Sequence, residues 1–291
     1  MIVTKLMGGL GNQMFQYAAG KALAWNHGVE CKVDLSFLNT DPKGLYTQRK
    51  FELEIFQNPI SVINEIELKS FSVKHNSQFN ILLNKAFPFV GKNHYITEKG
   101  HQYQPDFFNA SKDTYINGFW QSEKYFKNHQ SKIKEAFTIK KNLIEDTHEW
   151  LDQIKHTNSV SVHIRRGDYI NLSSANSFHG ICSNEYYEEA LKIIGNKIKE
   201  IVVFVFSDDI EWCKTNFKIN IPVHFVETDS AYKEMYLMQN CVHNIIANSS
   251  FSWWSAWLNS NENKIVIAPK RWFNDESINT KDIVPESWIK I

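Results

Sequence analysis

From residue 160 onward the chain alternates short apolar runs with amphipathic ones, and that alternation restricts the fold more than any other feature of the sequence. Segments 160–164, 201–206, 224–226, 243–247 and 264–268 read as strands, and 184–198, 210–217, 232–239 and 252–258 as the helices between them. Strands separated by helices imply parallel pairing, because a parallel neighbour is reached only by a long crossover. The start repeats the theme: 1–7 is a strand, 12–27 an amphipathic helix ended by Gly28, and 30–35 a second strand. Segment 36–118 is Asn-rich, aromatic-rich and weakly periodic, and reads as loops and short helices. Two further helices, 123–137 and 142–155, bridge the halves. The expected architecture is α/β, two Rossmann-like domains facing a cleft.

The charge balance narrows the partners. Lys plus Arg and Asp plus Glu both total 32 in 291 residues, so nothing global draws the chain to nucleic acid and any anion site must be local. An apolar share of 43% and a charged share of 22% describe a folded globular chain rather than a disordered one. Cys31, Cys182, Cys213 and Cys241 are too widely spaced for a CxxC motif. The start lacks a signal-peptide pattern, and no apolar run is long enough to span a bilayer. These features lead us to expect a cytoplasmic protein, associated with a membrane at most peripherally, at its inner face.

Two loops invite chemistry. Gly8, Gly9, Leu10, Gly11, Asn12 and Gln13 lie where a strand feeds a helix, where free amides and the helix dipole attract anions. The dinucleotide fingerprint fails, because Met14 stands where its third glycine belongs, and the Lys-Ser/Thr ending of a P-loop is absent. A tight turn without a ligand therefore stays open beside a phosphate cradle formed by Gly9, Gly11, Asn12 and Gln13. The second loop is stronger. Arginine occurs only four times, at Arg49, Arg165, Arg166 and Arg271, and two of the four are adjacent just past a strand. A guanidinium fork suits phosphate, and the carboxyl ends of parallel strands are where open α/β sheets bind ligands. A surface Arg–Asp ion pair is the competing explanation.

Three later strand ends are polar as well: Ser207-Asp208-Asp209, Glu227-Thr228-Asp229 and Asn248-Ser249-Ser250. Helix capping is the preferred reading for Asp208 and Asp209. Taken together, the four strand ends describe one rim suited to a nucleotide. The block Phe251 to Trp257 carries three tryptophans, and the spacing of Trp253 and Trp257 favours core packing over a sugar platform. The sequons at Asn171 and Asn248 carry no argument in a cytoplasmic chain.

At these residues the chain resembles the bacterial α-1,2-fucosyltransferases of glycosyltransferase family 11, which use GDP-fucose. The matching pieces are GGLGNQMFQY at 8–17, HIRRGDY at 163–169, FSDD at 206–209 and NIIANSSFSWWSAWL at 244–258. The resemblance implies a GT-B-like fold and inverting transfer of L-fucose from GDP-fucose to the 2-hydroxyl of a terminal galactose, in surface polysaccharide or oligosaccharide synthesis. It implies no metal site and no cofactor beyond the donor substrate. It divides the chain into an acceptor-side domain at 1–155, a GDP-fucose domain at 156–275, and a tail at 276–291 returning to the first domain. Carried over, it implies that Arg165 and Arg166 hold the diphosphate and that Asn12 reaches it from the other domain. It further suggests His163 and Asp229 near the base or ribose, and Ser249 and Ser250 near phosphate.

Asp168 is placed to act as catalytic base, or to orient the arginines, and His179 is a second base candidate or an acceptor contact. Two rivals remain: a nucleotide-dependent enzyme of another class on the same scaffold, and a non-catalytic carbohydrate-binding protein. The failed fingerprints weigh against the first, and the paired arginines against both.

Overall fold

The computed structural model describes residues 1–41, 47–69, 94–167 and 180–291, divided into two compact units at Met1–Thr138 and Ile139–Ile291. The first unit opens with β1 (Ile2–Lys5), α1 (Leu10–His27) and β2 (Cys31–Asp34). Gly28 ends α1 in the left-handed region at φ 62°, its amide returning to the Ala24 and Trp25 carbonyls. Two strands then follow that the sequence did not suggest, β3 (Tyr95–Thr97) and β4 (Thr114–Asn117). All pairing is parallel, in the order β2-β1-β4-β3. These two strands are three and four residues long, too short for a period-two signal to emerge from an aromatic-rich background. Along β1 and α1, Ile2, Val3, Met14, Phe15 and Ala18 are fully buried; Thr4 meets α1 at Gln16 and Gly20, and Val3, on the opposite face of the strand, packs with Ile63 and Tyr115.

The expected bridging helices are shorter than their periodicity suggested. Segment 123–137 is two single-turn 3₁₀ pieces before α2 (Gln130–Ala136), and 142–155 is two more before α3 (His148–Lys155). The i, i+3 and i, i+4 spacing of apolar residues is met by consecutive 3₁₀ turns as well as by one helix, so the pattern overstated continuity.

The second unit matches its pattern closely. It comprises β5 (Asn158–Ile164), α4 (Asn184–Gly195), β6 (Ile201–Ser207), α5 (Ile210–Asn216), β7 (Val223–Phe225), α6 (Ala231–Asn240), β8 (His243–Ile245), α7 (Ser250–Leu258), β9 (Val266–Ala268) and β10 (Ile289–Lys290). The sheet is parallel throughout, in the order β10-β9-β8-β5-β6-β7. β5 and β6 form its spine, in register from Asn158 opposite Ile201 to Ile164 opposite Ser207. From Ser159 to Ile164 every residue of β5 is buried, as a strand covered on both faces requires. The tail residues Ile289 and Lys290 pair with β9, so 276–291 completes the second unit's own sheet rather than returning to the first, and α3 packs on β5, which moves the division from 155 back to 138. Trp253, Trp254 and Trp257 are core residues, at most 3% exposed. Trp253 also donates to the Ile283 carbonyl at 2.8 Å. Among the described residues no helix is long and apolar enough to cross a membrane.

Candidate functional site

Among the described residues the second sheet's strand order reverses once, between β5 and β8, and in the first sheet β1 and β4 are neighbours. The loops leaving the carboxyl ends of the two strands at such a reversal splay apart and open a crevice, where doubly wound sheets take their ligands. In the second unit those loops carry Arg165, Arg166 and Gly167 after β5, and Asn248, Ser249 and Ser250 after β8.

The arginine loop is clasped by the carboxylates that follow β6. Asp208 accepts from the Arg166 amide at 2.8 Å and the Gly167 amide at 3.0 Å, and its Oδ2 lies 3.0 Å from Arg165 Nη1. Gly167 leaves the room for this, since a Cβ there would fall 2.8 Å from Asp208 Oδ2. Asp209 divides its carboxylate, capping α5 through the Trp212 amide at 3.3 Å and meeting Arg166 Nε at 3.4 Å. The Arg166 guanidinium also lies 3.4 Å from the centroid of the Trp212 ring, a cation–π stack. Capping is therefore the role of Asp209 alone; Asp208 braces the loop, a role its position beside Asp209 in sequence conceals. Both guanidinium groups are partly buried and held in fixed directions by these carboxylates.

His163, the second-last residue of β5, is 3% exposed, and its ring lies 5.6 Å from Phe251. Burial, with Asp208 opposing and Arg165 assisting, pushes its pKa down to about 4, so the ring is neutral at physiological pH. Its Nδ1 is buried with no hydrogen-bond partner among the described residues, which marks a polar group awaiting something. Glu234, in the first turn of α6, feels the same two neighbours. Burial raises its pKa to about 7, Asp208 adding to the rise and Arg165 opposing it. No local signal singles out Glu234, because nothing in a helix pattern tells which first-turn carboxylate will be half-buried.

The remaining rim residues differ in how free they are. Asp229 is exposed and already bound, with Lys233 at 2.9 Å and the Ser230 hydroxyl at 2.8 Å; both hold its pKa below the ordinary value. Ser249 stands at the N-cap of α7 without using its hydroxyl as a cap, and Ser250 begins the helix. Asn248 is structural: its amide donates to the Gly180 and Trp272 carbonyls at 3.3 and 3.2 Å. Asp168 and His179 lie outside the described residues.

In the first unit, Gly8 takes φ +72°, Gly9 is the N-cap of α1, and Gly11 is buried within the first turn. The amide of Leu10, the first helical residue, donates to the Glu52 carboxylate, so the chain supplies an anion of its own to this helix end. Burial keeps the Glu52 pKa above the ordinary value despite that bond. Gln13 corrects its assignment as a ligand contact. Fully buried, it donates to the Gly8 and Lys50 carbonyls at 2.8 Å each and accepts from the Glu52 amide at 3.0 Å. With both amide hydrogens and the carbonyl engaged, it staples 50–52 to the glycine loop and has little left for a ligand. Asn12 is half-buried, and its Oδ1 accepts from Gln121 Nε2 at 2.8 Å. The Arg49 guanidinium packs beside Gly9, within 3.9 Å of where a Cβ would stand.

Comparison with known proteins gives this geometry its context. The chain is 38% identical to an alpha-1,2-colitosyltransferase of Escherichia coli over 100% of its own length and 99% of that protein's. It is 36% identical to the O-antigen biosynthesis glycosyltransferase WbnK of the same organism, over 98% and 99%. Among solved structures, a mutant of Arabidopsis thaliana FUT1 in complex with GDP superposes with a TM-score of 0.55 at 11% identity, covering 99% of this chain and 75% of that one. The shared architecture is the α/β, GT-B-like fold. The model of glycosyl transferase family 11 matches residues 1–291 without a break, and the chain belongs to that family of glycosyltransferases.

Proposed function

We propose that the protein transfers L-fucose, with inversion, from GDP-fucose to the 2-hydroxyl of a terminal galactose in surface polysaccharide or oligosaccharide synthesis. The observation that carries this reading is the braced arginine pair at the switch point of the second sheet. As the bond between the sugar's anomeric carbon and the phosphate oxygen breaks, the sugar becomes oxocarbenium-like and negative charge collects on the leaving diphosphate. Arg165 and Arg166, already oriented by Asp208 and Asp209, stabilise that charge more in the transition state than in the ground state. Two fixed guanidinium groups do here what a divalent cation does elsewhere, so activity in excess EDTA is the expected behaviour.

The neutral His163 Nδ1, without a partner among the described residues, suits a polar edge of the base or ribose, and the Ser249 hydroxyl, which does not cap its helix, suits a phosphate oxygen. Asn12 offers a neutral amide to a substrate oxyanion, and Asp168 or His179 takes the acceptor's proton. A second reading has a specific support: the relative at 38% identity is named for colitose, so the sugar on the nucleotide can differ while the diphosphate chemistry stays the same. Incubation with GDP-fucose or with nucleotide-linked colitose, against a panel of galactosides, followed by linkage analysis, tests both. Transfer of fucose to O2 of galactose supports the first reading. Transfer of colitose alone replaces it with the second, and no transfer from either donor overturns both.

A further inference from the structure

In the first sheet β1 and β4 are neighbours, and the segments that follow them are tied together: the glycine loop and first turn of α1, with Asn12, and the loop after β4, residues 118–122. Their link is the bond from Gln121 Nε2 to Asn12 Oδ1, 2.8 Å long and 109 residues apart in sequence. Loop 118–122 is unusually determined for a connection of this length. Glu98 is half-buried and its carboxylate accepts from two successive amides, Phe119 at 2.6 Å and Trp120 at 3.0 Å. Gly118 must lack a side chain, because a Cβ would fall 2.3 Å from Glu98 Cβ. Trp120 takes φ +55°, a conformation a bulky residue adopts only where its surroundings compel it. It is completely buried, with its ring 4.9 Å from Phe107 and 5.3 Å from Tyr125. The residue after this strained one is Gln121.

We infer that Gln121 is a positioning residue that fixes which face of the Asn12 amide meets the substrate. A carboxamide has two faces of similar shape and opposite polarity; turned one way it donates, turned the other it accepts. Gln121 occupies Oδ1, and the nitrogen lies over Gly8, where a Cβ would stand 2.6 Å from Nδ2. What Asn12 has left to offer is its Nδ2 hydrogens, the polarity an oxyanion requires. The Glu98 brace and the positive φ of Trp120 fix the backbone from which Gln121 reaches Asn12. The inference rests on the proposed role of Asn12 toward the donor's phosphates.

The test is a double-mutant cycle read as turnover, donor KM, GDP affinity and melting temperature. Gln121→Leu frees the Asn12 amide to rotate and lowers turnover about tenfold, the size expected for losing one oriented hydrogen bond. Gln121→Glu has the same shape but accepts only. It draws Nδ2 toward itself, turns Oδ1 to the phosphate, and costs more than Gln121→Leu while melting near the wild type. In an Asn12→Ala background neither substitution has a further effect on turnover. Gln121→Glu as active as the wild type, or full additivity with Asn12→Ala, overturns the inference. Full activity and GDP affinity in Asn12→Ala overturns the donor-side reading of this loop, whereas a large loss in Asn12→Ala with none in Gln121→Leu overturns the role of Gln121 alone.

Discussion

In the second unit the loop at the switch point is held by charge: two arginines, two aspartates and a stacked tryptophan, with Asp208 gathering two amides and a guanidinium. In the first unit the corresponding loop is held largely by carboxamides, with the Glu52 carboxylate on the Leu10 amide as its one charged brace among the contacts described. Gln13 staples it from below, Gln121 grips Asn12 from the side, and Gly8 bends it. Charge acts over distance and tolerates small displacements, whereas an amide hydrogen bond fails when the group rotates. The charged loop needs counter-charges to stop it from collapsing onto its surroundings, and the carboxamide-held loop needs fixed backbone. That is why the first unit holds a bulky residue at positive φ beside its loop and the second braces its loop with carboxylates.

The largest expected effect breaks the charged side. Arg165→Ala and Arg166→Ala should each lower turnover by about 10²–10³, the usual cost of one transition-state donor, without unfolding the protein. Lysine should rescue either poorly, since it cannot keep a carboxylate bond and a phosphate bond in one plane. Steady-state rates with circular dichroism check this; near-normal rates in both alanine variants would mean that the arginine loop is only a surface ion-pair cluster. Asp208→Asn comes next. It removes the charge facing Arg165 and weakens the acceptor for two amides, so GDP affinity and turnover should fall together by about tenfold to a hundredfold, as hydrogen bonds to charged groups are worth about 1.5–3 kcal/mol. Calorimetric affinity unchanged beside reduced turnover would show that Asp208 does not set the loop's shape.

The carboxamide side is sharpened by two glycines. Gly8 and Gly28 both take positive φ, at +72° and +62°, so alanine at either position carries strain of about 1–2 kcal/mol. Gly28 faces open space, but a Cβ on Gly8 would strike the Asn12 amide nitrogen. Both variants should lose similar stability in denaturant, and only Gly8→Ala should also lose turnover, by about tenfold. Equal turnover in the two would mean that the placement of Asn12 does not matter to the reaction.

The same contrast governs what the sequence disclosed. The second unit's central strands β5 and β6 are long and almost wholly buried and its helices periodic, so the alternation from β5 to β9 was visible from the pattern while the two-residue β10 was not, and the paired arginines stood out because arginine is scarce. The first unit's β3 and β4 are too short to carry a pattern. Its working contacts join residues far apart in the chain: Gln121 with Asn12, Glu98 with Trp120, Gln13 with Lys50. No local signal announces such a pair. Asp208 was hidden differently, since two adjacent aspartates before a helix invite one explanation for both, and only the pairing of β5 with β6 brings one of them under the arginine loop.

The smallest effect is a pH dependence that the charged loop partly conceals. His163 has a folded pKa of about 4, below its unfolded value of about 6.5, so between those values the folded state binds fewer protons and stability rises with pH. Glu234 has a folded pKa of about 7, above an unfolded value of about 4.3, so across that window the folded state binds more protons and stability falls with pH. From about pH 4.5 to 6.5 the two slopes oppose each other, and the wild type shows only their difference. Removing one should reveal the other. Glu234→Gln should gain stability relative to the wild type as pH rises from 4.5 to 7, and His163→Phe should lose stability relative to it from 4.5 to 6.5. Each change should be on the order of 1–2 kcal/mol, less than the full shift implies because Glu234 retains some contact with solvent. Glu52 and Glu98 in the first unit are also raised by burial, but they tilt all three proteins alike and drop out of the difference. Urea denaturation of the three proteins at about pH 4.5, 5.5, 6.5 and 7.5 measures it. Parallel curves would mean that His163 and Glu234 do not feel the burial and charge of the arginine loop. Opposite divergence would tie these two opposing slopes to the buried groups around the arginine loop of the second unit.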